Sequence, residues 1–101
     1  MAKLRLVVLV SGSGTTLQNI LDQIRSGELN ASVELVIGSR DGLKGIERAQ
    51  NAGIPHVVIA HKSFADTASF SREVFRRIDE AKPDLICLAG WLCLLEIPER
   101  Y

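Results

Sequence analysis

The chain has 101 residues, of which 47% are hydrophobic and 24% are charged, a composition typical of a folded globular domain. Twelve lysines and arginines balance twelve acidic residues, so there is no basic field that would attract nucleic acid. The longest apolar runs, residues 6–10 and 85–90, are too short to cross a bilayer. The sequence therefore predicts a single small domain over residues 1–101, with neither nucleic acid nor membrane as a partner.

The N-terminus and the two cysteines indicate the compartment. Met1–Leu4 leads directly into a strand-like run and lacks the apolar core and cleavage site of a secretory signal. Cys87 and Cys93 lie in or beside an apolar segment and match no metal-ligand spacing. We expect a reduced, cytoplasmic protein without a bound metal.

Strand patterns and helical patterns alternate along the chain. Strands are predicted at Leu4–Val10, Val33–Ile37, His56–Ala60 and Asp84–Gly90. Apolar residues at helical spacing mark three intervening helices: Leu17, Ile20, Leu21 and Ile24; Leu43, Ile46 and Ala49; Phe70, Val74, Phe75 and Ile78. Gly27, Gly53 and Pro83 are placed to end them. Because the elements alternate, we expect a doubly wound, Rossmann-like α/β fold with a parallel sheet of strand order 3-2-1-4.

The turn between the first strand and the first helix has the chemistry of an anion site. Gly12 and Gly14 let the backbone turn tightly, and the helix that follows offers unpaired N–H groups and a positive dipole end. Thr15 and Thr16 add hydroxyl donors. The pattern predicts a phosphate site, and the alternative is a simple strand-to-helix turn capped by Ser13 or Thr15.

The type of phosphate is less constrained by the pattern. Leu17 stands where a dinucleotide fingerprint has its third glycine, which favours a terminal monophosphate over a pyrophosphate. Arg40, after the second strand, could bind a ribose 2′-phosphate, although a solvated loop charge is the simpler interpretation. An NADP-binding oxidoreductase fragment and a non-enzymatic nucleotide-binding module therefore stay open as alternatives.

The last residues of the chain leave an apolar strand edge without a cover. With strand order 3-2-1-4, the fourth strand lies at the edge, and nothing follows Trp91–Pro98 that could cover it. We expect five apolar side chains to be exposed: Ile86, Leu92, Leu94, Leu95 and Ile97. The chain is then expected to be part of a larger domain and either to self-associate through the fourth strand or to be marginally stable. The alternative is that the tail folds back over its own edge.

Four segments resemble one enzyme family, the glycinamide ribonucleotide formyltransferases. Val8–Gln18 resembles the family's opening V-L-I-S-G-x-G-S-N-L-Q, and Asp84–Leu92 is similar to its D-x-x-x-L-A-G-[FY]-M. Gly45–Ala49 and Ala52–Pro55 resemble its second helix and the approach to its third strand. The matches run in order over nearly the whole chain. Initiator-tRNA formyltransferases, which usually open with a G-T-P loop, are less similar.

The resemblance implies transfer of a formyl group from 10-formyltetrahydrofolate to the amine of glycinamide ribonucleotide, a step of purine synthesis. It assigns the substrate 5′-phosphate to the backbone N–H groups of Gly14, Thr15 and Thr16. It assigns the folate to an apolar wall and a pterin pocket, formed by Leu88, Leu92, Cys93, Leu94 and Leu95. Composition alone would instead place residues 92–95 in the core.

The chain departs from the family pattern at several positions. Thr15 and Thr16 replace a serine and an asparagine but keep hydrogen-bonding side chains. Cys93 replaces an arginine, and a second family arginine falls near Thr67, so we expect a folate tail that is bound weakly or differently.

The resemblance places the catalytic residues outside the chain. The family's asparagine and histidine lie in an N-I-H-P motif that would begin after Tyr101, with an aspartate further on, so we expect residues 1–101 to be inactive alone. His56 falls at the wrong edge of the sheet, and His61 lies two strands from the first strand, about 10 Å away. The carboxylates Asp66, Asp79 and Glu80 show no catalytic pairing, and the last two are expected on a solvated helix face.

Overall fold

A computed structural model of the protein describes residues 3–101. Met1 and Ala2, which entered the prediction about a secretory signal, lie outside the described residues. The strands β1 to β4 are Leu4–Val10, Ala31–Gly38, His56–Val58 and Leu85–Ala89, and the helices α1 to α3 are Thr15–Arg25, Lys44–Asn51 and Thr67–Ala81. A 3-10 turn, His61–Ser63, precedes α3. None of the helices described is long and apolar enough to cross a membrane.

The four strands form one parallel sheet of order β3-β2-β1-β4, which confirms the predicted α/β fold and strand order. Val10, the last residue of β1, pairs with Gly38 of β2 and with Ala89 of β4. The carboxyl ends of three strands therefore meet at one edge of the sheet. In open α/β sheets this edge carries the ligand, at the point where the strand order reverses.

The core has two layers because β1 is covered on both faces. Val7 and Leu9 point towards α3, whereas Val8 and Val10 point towards α1 and α2, and all four side chains are fully buried. Burial on both faces explains why this strand is almost continuously apolar. It also fixes the height at which the loop after Val10 leaves the sheet.

Three strands differ from their predicted bounds. β2 runs over Ala31–Gly38 rather than Val33–Ile37. β3 ends at Val58 rather than Ala60, because its partner strand β2 ends at Gly38, which pairs with Val58. β4 is one residue shorter at each end than predicted, and Gly90 ends it with a φ of 75°. These differences leave the positions of the site loops unchanged.

The C-terminal tail, residues 91–101, folds back onto α3 rather than along the edge of β4. Trp91 stacks on Phe70 with 5.9 Å between ring centroids. The Glu96 N–H donates to Ser71 Oγ at 2.8 Å, and the Arg100 guanidinium reaches Asp79 at 2.6 Å. Within residues 3–101, β4 pairs with β1 alone, so its other edge stays unpaired.

The expected exposure of the apolar residues is correct in part. Leu92, Leu94 and Ile97 are exposed, as predicted. The prediction is wrong for Ile86 and Leu95, which are half-buried and pack against the core layer beneath α3. Once the tail folds onto α3, side chains at residues 91, 93 and 95 turn inwards while those at 92 and 94 turn out.

Candidate functional site

The turn from β1 into α1 is shaped by Gly14. This residue caps the helix in the left-handed conformation, with a φ of 75°, and the cap has no side-chain hydrogen bond. The alternative that Ser13 or Thr15 caps the helix is therefore wrong, and their two hydroxyls instead lie 3.3 Å from each other. The first helical hydrogen bond runs from the Gln18 N–H to the Gly14 carbonyl at 2.9 Å.

The backbone N–H groups before that first bond are free. Within residues 3–101, no group accepts a hydrogen bond from the N–H of Gly14, Thr15 or Thr16. Thr15 and Thr16 are exposed at the surface, whereas Gly14 is buried. Unpaired donors at the positive end of a helix dipole favour an anion.

Helix α2 holds the turn in this orientation. The Gly45 N–H donates to the Gly12 carbonyl at 3.2 Å, and Arg48 Nε donates to the Ser13 carbonyl at 2.8 Å. In a trans peptide the carbonyl and the following N–H point in opposite directions. Because the Ser13 carbonyl faces Arg48, the Gly14 N–H faces away from α2.

Any larger residue at position 14 would disturb the packing of the turn against α2. A Cβ at Gly14 would lie 2.5 Å from the Gly45 Cα, which is a backbone atom that cannot swing aside. A Cβ at Gly45 would in turn lie 2.9 Å from Val10 Cγ2. Two glycines that are 31 positions apart in sequence thus allow α2 to approach the turn.

A pair of buried serines joins the turn to two other strand ends. The Ser11 and Ser39 hydroxyls share a hydrogen bond of 2.8 Å, and Ser11 Oγ also accepts the Leu92 N–H at 3.0 Å. Ser11 follows β1, Ser39 follows β2, and Leu92 lies after β4. Sequence analysis missed this junction; its one signal was a serine directly after each of two buried strands.

The predicted folate residues fall into two groups. The side chains of Leu88, Leu92 and Leu94 are 57%, 84% and 78% exposed, whereas Cys93 and Leu95 are half-buried against the core. Assigning all of residues 92–95 to the core is therefore wrong for Leu92 and Leu94. Thr67 is the first residue of α3 and is half-buried.

A crevice of about 280 Å³ lies at the carboxyl edge of the sheet. Leu92 and Cys93 line one part of it, and Arg40 lines another. The remaining lining residues are Ser11, Ser39, His61 and Lys62. The structure thus brings Cys93 and Arg40 to one cavity, and Thr67 is not among the residues that line it.

The histidines and carboxylates considered for catalysis have other surroundings. His56 begins β3, and its Nδ1 lies 2.9 Å from the Ile54 carbonyl oxygen. His61 lies edge-on to Phe70 at 5.0 Å between centroids. Asp66 caps α3 by accepting the Ser69 N–H, which lowers the pKa of the carboxyl. Hydrogen bonds from Arg100 and Tyr101 lower the pKa of Asp79, and both Asp79 and Glu80 are exposed as predicted.

Leu17 and Cys87 belong to the core layer beneath α1 and α2. Leu17 is fully buried in the layer beneath α1 and α2, where it holds the helix on the sheet. Burial raises the pKa of the Cys87 thiol in β4. Within residues 3–101, no three histidine, cysteine, aspartate or glutamate residues are grouped so that they could hold a metal ion.

Comparison with known proteins identifies the family. Residues 4–98 match the formyl transferase family. The chain belongs to the formyl transferases. It is 33% identical over 92 residues to the phosphoribosylglycinamide formyltransferase of Escherichia coli, a match that covers 91% of this chain and 43% of that protein. It is 43% identical over 96 residues to the trifunctional purine biosynthetic protein adenosine-3 of Drosophila melanogaster, covering 93% of this chain and 7% of that protein.

Solved structures agree with this placement. A phosphoribosylglycinamide formyltransferase from Coxiella burnetii superimposes with a TM-score of 0.89 at 39% identity, covering 93% of this chain and 44% of that one. A glycinamide ribonucleotide transformylase from Geobacillus kaustophilus gives a TM-score of 0.87 at 38% identity, and the match covers 93% of this chain and 50% of that one. This formyl transferase chain therefore spans about half the length of the bacterial relatives.

The serine junction leads to a stability prediction. Ser11→Ala should lower the free energy of unfolding by about 1–3 kcal/mol, because it leaves the buried Ser39 hydroxyl and the Leu92 N–H without their partner. Urea denaturation of the 101-residue chain measures the change. The control is Ser63→Ala in the exposed 3-10 turn, which should stay within about 0.5 kcal/mol of the wild type. Equal stability of the two variants would contradict a structural role for the junction.

Proposed function

We propose that this chain is the N-terminal, phosphate-binding half of a phosphoribosylglycinamide formyltransferase. The reaction transfers a formyl group from 10-formyltetrahydrofolate to the amine of glycinamide ribonucleotide, in purine synthesis. The observation that carries the proposal is the set of unpaired N–H groups at Gly14, Thr15 and Thr16. The names of the E. coli and C. burnetii relatives support this reaction over the NADP-binding alternative.

In this proposal the 5′-phosphate of glycinamide ribonucleotide binds at the start of α1. A terminal phosphate presents several oxygens, and the N–H groups of Gly14, Thr15 and Thr16 are three donors in one turn of backbone. The exposed hydroxyls of Thr15 and Thr16 add two donors from side chains. They take the places of the serine and asparagine that the family resemblance implies.

The folate then lies beside the segment after β4. Leu88, Leu92 and Leu94 offer exposed apolar surface, and Cys93 and Leu95 anchor the segment to the core. Because the Leu92 N–H is held by Ser11, the proposed folate segment and the phosphate turn share one hydrogen-bonded junction. Thr67, at the start of α3, is proposed to contact the same ligand.

Residues 3–101 receive no catalytic assignment. The catalytic asparagine, histidine and aspartate of the proposed reaction belong to a second half of the domain, so the chain alone is proposed to bind substrate without turning it over. We place the protein in the cytoplasm, in keeping with its two free cysteines.

Binding of glycinamide ribonucleotide tests the phosphate assignment. Thr16→Val removes a hydroxyl and keeps the side-chain shape, so we expect affinity to fall about 10- to 150-fold from the loss of one hydrogen bond to a charged group. Gly14→Val should abolish binding, since its Cβ would collide with Gly45. Isothermal titration calorimetry measures both.

The matched control is Ser26→Ala, which removes a hydroxyl at the opposite end of α1. It should leave the affinity unchanged. If the Gly14→Val variant still binds glycinamide ribonucleotide tightly, the assignment of the phosphate to this turn is wrong.

We also propose that the chain associates with a second copy through β4. Its outer edge is unpaired within the described residues, and Leu85 and Leu88 are 53% and 57% exposed. A groove of about 430 Å³ runs beside them, lined in part by Ile97 and Tyr101. Exposed, apolar strand edges favour pairing with another strand.

Sedimentation equilibrium tests the association. The wild-type chain should form dimers, and Leu85→Lys should shift it to monomers because a charged side chain blocks edge pairing. A wild-type monomer with a free energy of unfolding above about 8 kcal/mol, which is ordinary for a complete domain, would contradict the proposal.

A further inference from the structure

The crevice at the carboxyl edge of the sheet is lined by unpaired cationic side chains. Arg40 and Lys62 are both exposed, and neither forms a salt bridge within residues 3–101. His61 lines the same cavity. No aspartate or glutamate of the described residues lines it. A concave site that concentrates positive charge without a neutralising partner attracts anions.

The two cations are held by neighbouring strand ends. Arg40 follows Ser39, whose hydroxyl is bonded to Ser11 and whose carbonyl accepts the His61 N–H at 3.1 Å. Lys62 lies in the 3-10 turn that begins at His61. The backbone on both sides of the crevice is therefore tied to Ser39, which limits the distance over which the two charges can separate.

The opposite part of the crevice belongs to the proposed folate segment. Leu92 and Cys93 line it, and the Leu92 N–H is bonded to the same Ser11 hydroxyl. A folate held by residues 92–95 would thus have Arg40 and Lys62 within the adjoining cavity. The part of a folate that carries negative charge is its glutamate tail, which bears carboxylates and is extended through γ-linked glutamates.

We propose that Arg40 and Lys62 bind the tail carboxylates of the formyl donor in this crevice. The inference rests on the proposed function and adds two residues that determine ligand affinity. Arg40 suits a bidentate contact with a carboxylate, and Lys62 acts as a point charge. Arg40 and Lys62 thus supply the positive charge for the tail carboxylates that Cys93 and Thr67, which are neutral, cannot supply.

Three probes with increasing tail charge test the inference: pteroate, which has no glutamate, folate, which has one, and folate with three γ-linked glutamates. Calorimetric titration of the full 101-residue chain should give the weakest binding for pteroate and the tightest for the triglutamate. Arg40→Ala combined with Lys62→Ala should weaken triglutamate binding up to about 25-fold, at up to about fivefold for each exposed charge pair. Pteroate binding should be unchanged.

The charge-matched control is Arg25→Ala combined with Lys3→Ala, which removes two exposed cations that lie outside the crevice. It should leave all three affinities at the wild-type values. Added salt should reduce the advantage of the triglutamate over pteroate, because exposed charges are screened. Circular dichroism of each variant checks that the fold is retained, as expected for exposed positions.

The three titrations distinguish a failure of the tail site from a failure of the proposed function. Equal binding of pteroate and the triglutamate by the wild-type chain would overturn the tail site and leave the formyl-donor assignment standing. No binding of any of the three would overturn the proposed folate segment and the tail site with it. Saturable NADPH binding that Arg40→Ala abolishes would instead assign the crevice to a ribose 2′-phosphate and overturn the inference.

Discussion

The site depends on the orientation of one peptide group, the bond between Ser13 and Gly14. Its carbonyl accepts a hydrogen bond from Arg48, so its N–H points the other way, away from α2. Gly14 then leads into α1 in the left-handed conformation. Because Gly14 has no side chain, the Gly45 backbone can pack directly against it. If this peptide flipped, the row of unpaired donors at Gly14, Thr15 and Thr16 would be broken.

The rest of the fold maintains this orientation. β1 is buried on both faces, so it places the turn at a fixed height above the sheet. Two groups of α2, the Gly45 N–H and the Arg48 guanidinium, donate hydrogen bonds to the turn carbonyls. The helix can approach the turn this closely because Gly14 and Gly45 both lack a side chain. Ser11 extends the same support to Ser39 and to the segment after β4. Segments that follow three strand ends are therefore joined by hydrogen bonds into one connected structure.

The parts predictable from sequence are those set by local pattern. The apolar run of β1 and the alternation of elements were sufficient for the parallel sheet and its order, and the turn with unpaired N–H groups was predictable because its glycines and threonines are adjacent. The support from Arg48 was not predictable, because it joins residues 35 positions apart and depends on how two helices pack. The fold-back of the tail was considered only over the edge of β4, and its packing on α3 was not predictable for the same reason, since its partners Ser71 and Asp79 lie on another element. Arg40 and Lys62 share a crevice only because β2 and β3 are neighbours in the sheet.

A titration followed by ¹H–¹⁵N nuclear magnetic resonance tests the central claim most directly. When glycinamide ribonucleotide is added to the labelled chain, the largest and saturable shifts should be those of the Gly14, Thr15 and Thr16 amide signals, since these N–H groups gain an anionic acceptor. The amides of β3, across the sheet, should stay unchanged. Saturable shifts confined to Arg40 and Lys62, with the three turn amides unmoved, would contradict the account.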